Sequence, residues 1–254
     1  MIDMDDRFAN GAYIADAEDY PARWDLAAAE FRTHVLAEID VPYGTGPRQM
    51  MDIFHPDRLA QGLIVFVHGG YWRAFDKSTW SHLAAGALAR GWAVAIPSYD
   101  LCPDVRISQI TAQVAAAVRL AATRVTGPVR LVGHSAGGQV VARLAGMDLD
   151  GRLQRVVPIS PLADLVPLMQ TKMNDDFQLT MAEALAESPV NAPAPDVPVS
   201  VWVGANERPV FITQATALGA AWGCSVTQAA DRHHFNVIDD LADPDSPLVR
   251  MLFS

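Results

Sequence analysis

The stretch Val129-Arg130-Leu131-Val132-Gly133-His134-Ser135-Ala136-Gly137-Gly138-Gln139-Val140-Val141 constrains this chain more than any other. Its first four residues are rich in β-branched and aliphatic side chains and read as a buried strand, and the apolar positions from Ala136 to Ala145 recur at helical spacing. Only Gly133-His134-Ser135-Ala136-Gly137 is left to turn the chain from strand to helix, so the turn must be very tight. A residue at the apex of such a turn is strained, and glycines two before and two after it remove side chains that would strike the strand and the helix. The G-x-S-x-G spacing leaves the Ser135 hydroxyl exposed above a sheet. It also puts the hydroxyl at a helix N-terminus, where backbone N–H groups and the helix dipole favour developing negative charge.

The rest of the chain supplies a sheet for this turn to stand on. Residues 36–41 and 49–54 are short strand candidates separated by Pro42-Tyr43-Gly44-Thr45-Gly46-Pro47, so the sheet starts antiparallel. Residues 63–67 form a continuous apolar run, as expected of a central strand covered on both faces. Further strands are predicted at 93–98, 154–159, 197–203 and 225–228. A helical patch at 24–35 carries Leu26 and Ala29 as apolar members, and Ser78 is the expected N-cap of a helix ending at Gly91. From Arg106 to Val125 the residues Ile107, Ile110, Val114, Val118 and Ala121 recur at three-and-four spacing, the pattern of an amphipathic crossover helix. Strand and helix alternation of this kind predicts an α/β fold, a mostly parallel eight-stranded central sheet flanked by helices. Residues 1–254 are expected to form one domain, with 1–35 as an N-terminal arm packed over the body. The segment from 161 to about 195, rich in Met, Asp, Asn and Pro and without a strand, reads as a small cap over the site.

Composition narrows the function classes. The formal charge of −10 provides no basic stripe to neutralise phosphates, which argues against a nucleic-acid or anionic-membrane partner and for a small molecule. Cys102 and Cys224 are far apart and lack C-x-x-C spacing, so two reduced packing thiols are expected. The acidic start Met1-Ile2-Asp3-Met4-Asp5-Asp6 is unlike a signal peptide and no apolar run is long enough for a membrane span, so a cytoplasmic location is expected. No H-E-x-x-H, Walker A or G-x-G-x-x-G sequence is present, and neither a metal nor another cofactor is expected. The sequence leaves the oligomeric state open, a homodimer included.

A serine nucleophile needs donors for the oxyanion it creates, and a histidine base held by a carboxylate. The run from 63 to 67 leads directly into His68-Gly69-Gly70-Tyr71-Trp72, where adjacent glycines let backbone N–H groups swing toward a carbonyl. Ser135, Glu207 and His234 follow the order Ser, acid, His, with Glu207 just beyond a predicted central strand. Asp231, Asp239 and Asp164 compete for the acid role. His233 competes with His234, since neighbours in an extended loop point opposite ways; Phe235 behind His234 offers it an apolar anchor. His68 and His134 read as braces of their turns, and His34, His55 and His82 as packing or surface residues.

These motifs carry a resemblance. His68-Gly69-Gly70-Tyr71-Trp72, Gly133-His134-Ser135-Ala136-Gly137-Gly138, Glu207-Arg208-Pro209-Val210-Phe211 and His234-Phe235 followed by Leu241-Ala242-Asp243-Pro244-Asp245-Ser246-Pro247 resemble the kynurenine formamidase (arylformamidase) type of α/β-hydrolase, a relative of the hormone-sensitive-lipase esterases. The resemblance spans roughly residues 40–254. It implies an oxyanion hole made by the N–H groups of Gly70, Tyr71 and Ala136, a base at His234, and Tyr71 and Trp72 beside the substrate. Where that family reads Asp-Ser-Pro-Glu-Phe, this chain has Glu207 and Val210, so the acid arm is one methylene longer and a second carboxylate is missing. The implied activity is hydrolysis of an aryl formamide such as N-formylkynurenine; its rivals are a short-chain carboxylesterase and a non-catalytic ligand-binding protein of the same fold.

Overall fold

The computed structural model describes residues 3–254. The strands are β1 (Leu36–Pro42), β2 (Met50–His55), β3 (Leu63–Val67), β4 (Ala93–Pro97), β5 (Val129–His134), β6 (Leu153–Ile159), β7 (Ser200–Gly204) and β8 (Ser225–Ala229). They form one sheet in the order β1-β2-β4-β3-β5-β6-β7-β8. The β1–β2 and β2–β4 pairs are antiparallel and the others parallel, which is the expected antiparallel start to a mostly parallel sheet. The α-helices are α1 (Met4–Phe8), α2 (Tyr20–Arg32), α3 (Ala85–Ala89), α4 (Ile107–Arg124), α5 (Ala136–Arg143), α6 (Asn174–Phe177), α7 (Met181–Glu187), α8 (Pro209–Trp222) and α9 (Pro247–Phe253).

The two-residue period of a strand divides β3 between two cores. Leu63, Val65 and Val67 pack with α4, α5 and α8, through residues such as Ile110, Val114, Val140, Phe211 and Leu218. Ile64 and Phe66 pack on the other face, with Trp24 of α2, Trp80, Leu83, and Leu248 and Leu252 of α9. Both faces of β3 and β4 are thereby covered, which is why these strands have no polar side. In α4 the predicted stripe Ile107, Ile110, Val114, Val118 and Ala121 is fully buried. Each of its large members contributes about 2 kcal/mol of gross hydrophobic stabilisation before the entropy of ordering the chain is subtracted.

Two local expectations are corrected. In α2 the buried stripe is Tyr20, Trp24 and Ala28 at four-residue spacing, whereas Leu26 is 70 % exposed, because aromatic side chains with more area to bury take the inner face. Asp76, not Ser78, caps the helical segment before Gly91: its carboxylate accepts from both the Ser78 N–H (2.7 Å) and Oγ–H (2.6 Å). That segment is a 3₁₀ helix over Lys77–Ala84 and becomes α-helical only in α3. The segment from 161 to 195 carries the two short helices α6 and α7, and Met173 from it lines the cavity described next.

Candidate active site

β5 carries the chain to Ser135, whose φ of 56° and ψ of −115° are the strain of the apex. The flanking glycines are required by close approach. A Cβ on Gly137 would lie 2.1 Å from the Val67 carbonyl oxygen, and one on Gly133 would lie 2.2 Å from the Gly137 carbonyl oxygen. The helix α5 can therefore sit directly against β3 and β5, with Ser135 at its start.

His234 Nε2 lies 3.0 Å from Ser135 Oγ, and His234 Nδ1 lies 2.6 Å from Glu207 Oε2. All three residues are buried. An ionised carboxylate only accepts hydrogen bonds, so Nδ1 carries the imidazole proton and Nε2 offers its lone pair to the Ser135 hydroxyl. The other Glu207 oxygen, Oε1, accepts from the Gly204 N–H (2.9 Å) and from Ser160 Oγ–H. The carboxylate is thus fixed from three sides.

Ser160 was not singled out from the sequence. Its backbone is left-handed (φ 47°) and its side chain fully buried. The signal was its place: Ile159 pairs with His134 of β5 and Trp202 of β7, so the next residue stands between the elbow serine and the strand leading to Glu207. Recognising that requires the strand order, which sequence spacing does not contain.

The structure separates the two competing histidines. His233 Nδ1 accepts from the N–H groups of Phe235 (3.2 Å) and Asn236 (3.4 Å), so its Nε2–H donates to Tyr20 Oη at 3.1 Å. Its ring braces the turn that presents His234, and burial holds its pKa below the usual histidine value. Of the competing carboxylates, Asp164 accepts from the Val166 N–H, Asp231 is exposed in a left-handed turn, and Asp239 is exposed at the start of a short 3₁₀ turn over Asp239–Ala242. None of the three bonds to His234 among the described residues.

The His68-Gly69-Gly70-Tyr71-Trp72 loop lies against the nucleophile: a Cβ on Gly69 would be 3.1 Å from Ser135 Cβ. Gly70, Tyr71, Trp72 and Phe75 all have positive φ, at 104°, 51°, 55° and 70°. Neither the Gly70 nor the Tyr71 N–H donates to a protein acceptor among the described residues. The Ala136 N–H belongs to the first turn of α5, where no carbonyl four residues back is available. Trp72 does not line the cavity, contrary to the expectation for it. Consecutive left-handed residues turn the chain so that Tyr71 faces the cavity while Trp72 is fully buried, edge-on to Phe177 at 5.4 Å. Tyr71 Oη donates to the Phe8 carbonyl at 2.7 Å, tying the loop to the N-terminal arm.

Ser135 lies at the floor of a cavity of about 480 Å³ whose walls include Trp24, Phe75, Trp80 and Phe235. Their rings pack on one another, with Trp24 and Trp80 4.7 Å apart. From the expected cap only Met173 reaches this cavity; the arm supplies Asp5, Phe8, Ala9, Asn10 and Gly11, and α2 supplies Trp24. His68 stacks on Tyr99 at 4.4 Å, and burial pushes it down to about 4. His134 is also buried and held well below the usual value, with its ring 4.7 Å from that of His234. Both are neutral at neutral pH and place no cation beside His234. Among the described residues no three His, Cys, Asp or Glu side chains are grouped to hold a metal, and no helix is long and apolar enough to cross a membrane.

Residues 64–253 match the model of the alpha/beta hydrolase family, and the chain belongs to that family and is an enzyme of its kind. Within it the likeness to kynurenine formamidases is upheld. The kynurenine formamidase of Salmo salar is 28% identical over 237 residues, which cover 84% of this chain and 80% of that protein. The crystal structure of a protein from Silicibacter sp. TM1040, described as a candidate thioesterase, is 51% identical over the full length of both chains, with a TM-score of 0.97. An esterase from Pyrobaculum calidifontis shares the fold, with a TM-score of 0.71 over 94% of this chain and 92% of that one at 18% identity.

Proposed function

We propose that the protein cleaves a small acyl ester or an aryl formamide through an acyl-enzyme on Ser135, with an aryl formamide such as N-formylkynurenine as the leading substrate. His234 Nε2 takes the Ser135 proton as Oγ attacks the carbonyl carbon. The resulting oxyanion is stabilised by the N–H groups of Gly70, Tyr71 and Ala136, which need no reorganisation because the strained loop and the helix terminus already hold them unpaired. The imidazolium, steadied by Glu207, then protonates the departing amine or alkoxide. Water, deprotonated by His234, attacks the acyl carbon; the bond to Ser135 Oγ breaks, His234 returns the proton to Oγ, and the acid leaves.

The observation that carries this reading is the hydrogen-bonded line from Ser135 Oγ through His234 to Glu207 at the floor of an aromatic-walled cavity. The aromatic wall suits an aryl leaving group, and the named relatives hydrolyse a formyl amide of one. An ester or thioester of a small acid is the second reading, favoured by the description of the Silicibacter protein. The deciding experiment compares kcat/KM for N-formylkynurenine, 4-nitrophenyl acetate and an acetyl thioester. The formamide is expected to be the best substrate, and Ser135→Ala is expected to remove about 10³-fold or more of the turnover. Faster ester than formamide hydrolysis would reassign the substrate class, and full activity in Ser135→Ala would end the mechanism.

A further inference from the structure

The cavity above Ser135 is apolar along its walls, yet two of its residues are charged and of opposite sign. Asp5 and Arg73 are those residues, and no ion pair joins them among the described residues. Each is anchored instead to one short stretch of chain. Asp5 Oδ1 accepts the Lys172 N–H at 2.7 Å, and Arg73 Nε pairs with Asp176 Oδ2 at 3.1 Å. The two anchors, Lys172 and Asp176, flank Met173, which lines the cavity together with Asp5 and Arg73. Neither side chain is used up by its anchor. Asp5 keeps Oδ2, and Arg73 keeps both Nη groups, the fork that binds a carboxylate through two parallel hydrogen bonds. The Arg73–Asp176 pair is more than a third exposed on each side, so water screens it and it competes weakly with an incoming anion.

A cation and an anion held apart at the mouth of an aromatic cavity complement a ligand that is itself dipolar. We propose that Arg73 and Asp5 form a recognition site for a zwitterionic α-amino-acid group on the substrate, with its carboxylate on Arg73 and its ammonium on Asp5. The aryl ring then lies along Trp24, Phe75, Trp80 and Phe235, and the scissile acyl group reaches Ser135. Such a site selects aryl substrates carrying an amino acid over plain aryl ones. The proposal rests on the hydrolase reading for which end of the ligand meets Ser135, but binding at the rim is measurable apart from turnover.

Calorimetric titration of the full-length protein with kynurenine and with 2-aminoacetophenone, the same aryl ketone without the amino-acid group, separates the two. Kynurenine is expected to bind about tenfold tighter or more, and Arg73→Gln and Asp5→Asn are each expected to remove most of that preference, with Arg73→Lys keeping part of it. The kcat/KM ratio of the two N-formyl derivatives should fall in step, chiefly through KM. Equal affinities in the unaltered protein, no measurable binding of either compound, or a preference that survives both neutralising substitutions would overturn the site. Intact preference without hydrolysis of either formamide would leave the site standing and remove the formamidase activity instead.

Discussion

Replacing Glu207 by glutamine tests the acid assignment with almost no change in shape. In the structure Oε2 accepts from His234 Nδ1–H, while Oε1 accepts from the Gly204 N–H and Ser160 Oγ–H. An amide has one oxygen and one NH₂ to serve these three donors. With the NH₂ toward Oε1, it faces the Gly204 N–H, which cannot turn away, and one buried donor is left unpaired at a cost of about 1–3 kcal/mol. With the NH₂ toward His234, Nδ1 must become the acceptor and the proton moves to Nε2, where the ring can no longer take the Ser135 proton. The Ser160 hydroxyl can rotate to serve either orientation, so the fold survives, but the population with a productive tautomer shrinks. The expected result is a fall in kcat of about 10²–10⁴-fold, equivalent to about 3–5.5 kcal/mol of lost transition-state stabilisation, with KM little changed. Glu207→Asp, which keeps the charge and shortens the reach, should retain more activity. Ser160→Ala should lose less than Glu207→Gln, because the Gly204 N–H still holds Oε1. The assay is steady-state hydrolysis on protein whose circular dichroism matches the parent. A Glu207→Gln enzyme within about threefold of the parent in kcat would refute the reasoning and send the acid role elsewhere.

Two stability measurements follow from the same geometry. Gly137→Ala puts a Cβ 2.1 Å from a strand carbonyl oxygen and is expected to lower Tm by about 10 °C or more, whereas Gly146→Ala, with nothing within 4 Å of its new Cβ, should shift it little. Similar melting of the two variants would contradict the packing of α5 on β3. His68, pushed down to about 4 from 6.5, makes the unfolded chain bind the extra proton between those values, so its effect is absent above pH 6.5 and stability is lost as pH falls through the window. Urea unfolding near pH 7.5 and near pH 5 should differ by about 2 kcal/mol from His68 alone, with His82 acting in the same direction, and a flat profile would show that His68 titrates normally.

The strand–turn–helix at Ser135 was legible because its causes are local: β-branched residues, a helical stripe, and glycines where α5 crosses β3 and β5. The eight strands were legible for the same reason, being apolar runs bounded by turn residues. Trp72 was misjudged because its direction depends on two successive left-handed residues, a conformation imposed by burial against Phe177 and not by the sequence around it. Ser160 escaped notice because its meaning arises only when β5, β6 and β7 lie side by side. The arm's share in the cavity wall was not legible, since composition shows which stretch lacks strands but not which ones run across the site. Residues of the Met4–Phe8 helix and Trp24, far from Ser135 in the chain, line it together with Met173.

That last placement divides labour within the molecule. The family match spans residues 64–253, so the wall residues Asp5, Phe8 to Gly11 and Trp24 lie before the matched region. The arm is held by the buried Phe8 ring edge-on to Phe211 and by two polar latches, Asp6 to Arg208 at 2.8 Å and Tyr71 Oη to the Phe8 carbonyl, not by strands of the sheet. Mutations at its exposed positions can reshape the entrance without touching the buried Ser135–His234–Glu207 line. A substitution at an exposed arm position such as Asp6 is therefore expected to alter the entrance more than the fold, whereas one at Phe8 or Trp24 disturbs a core as well as the wall.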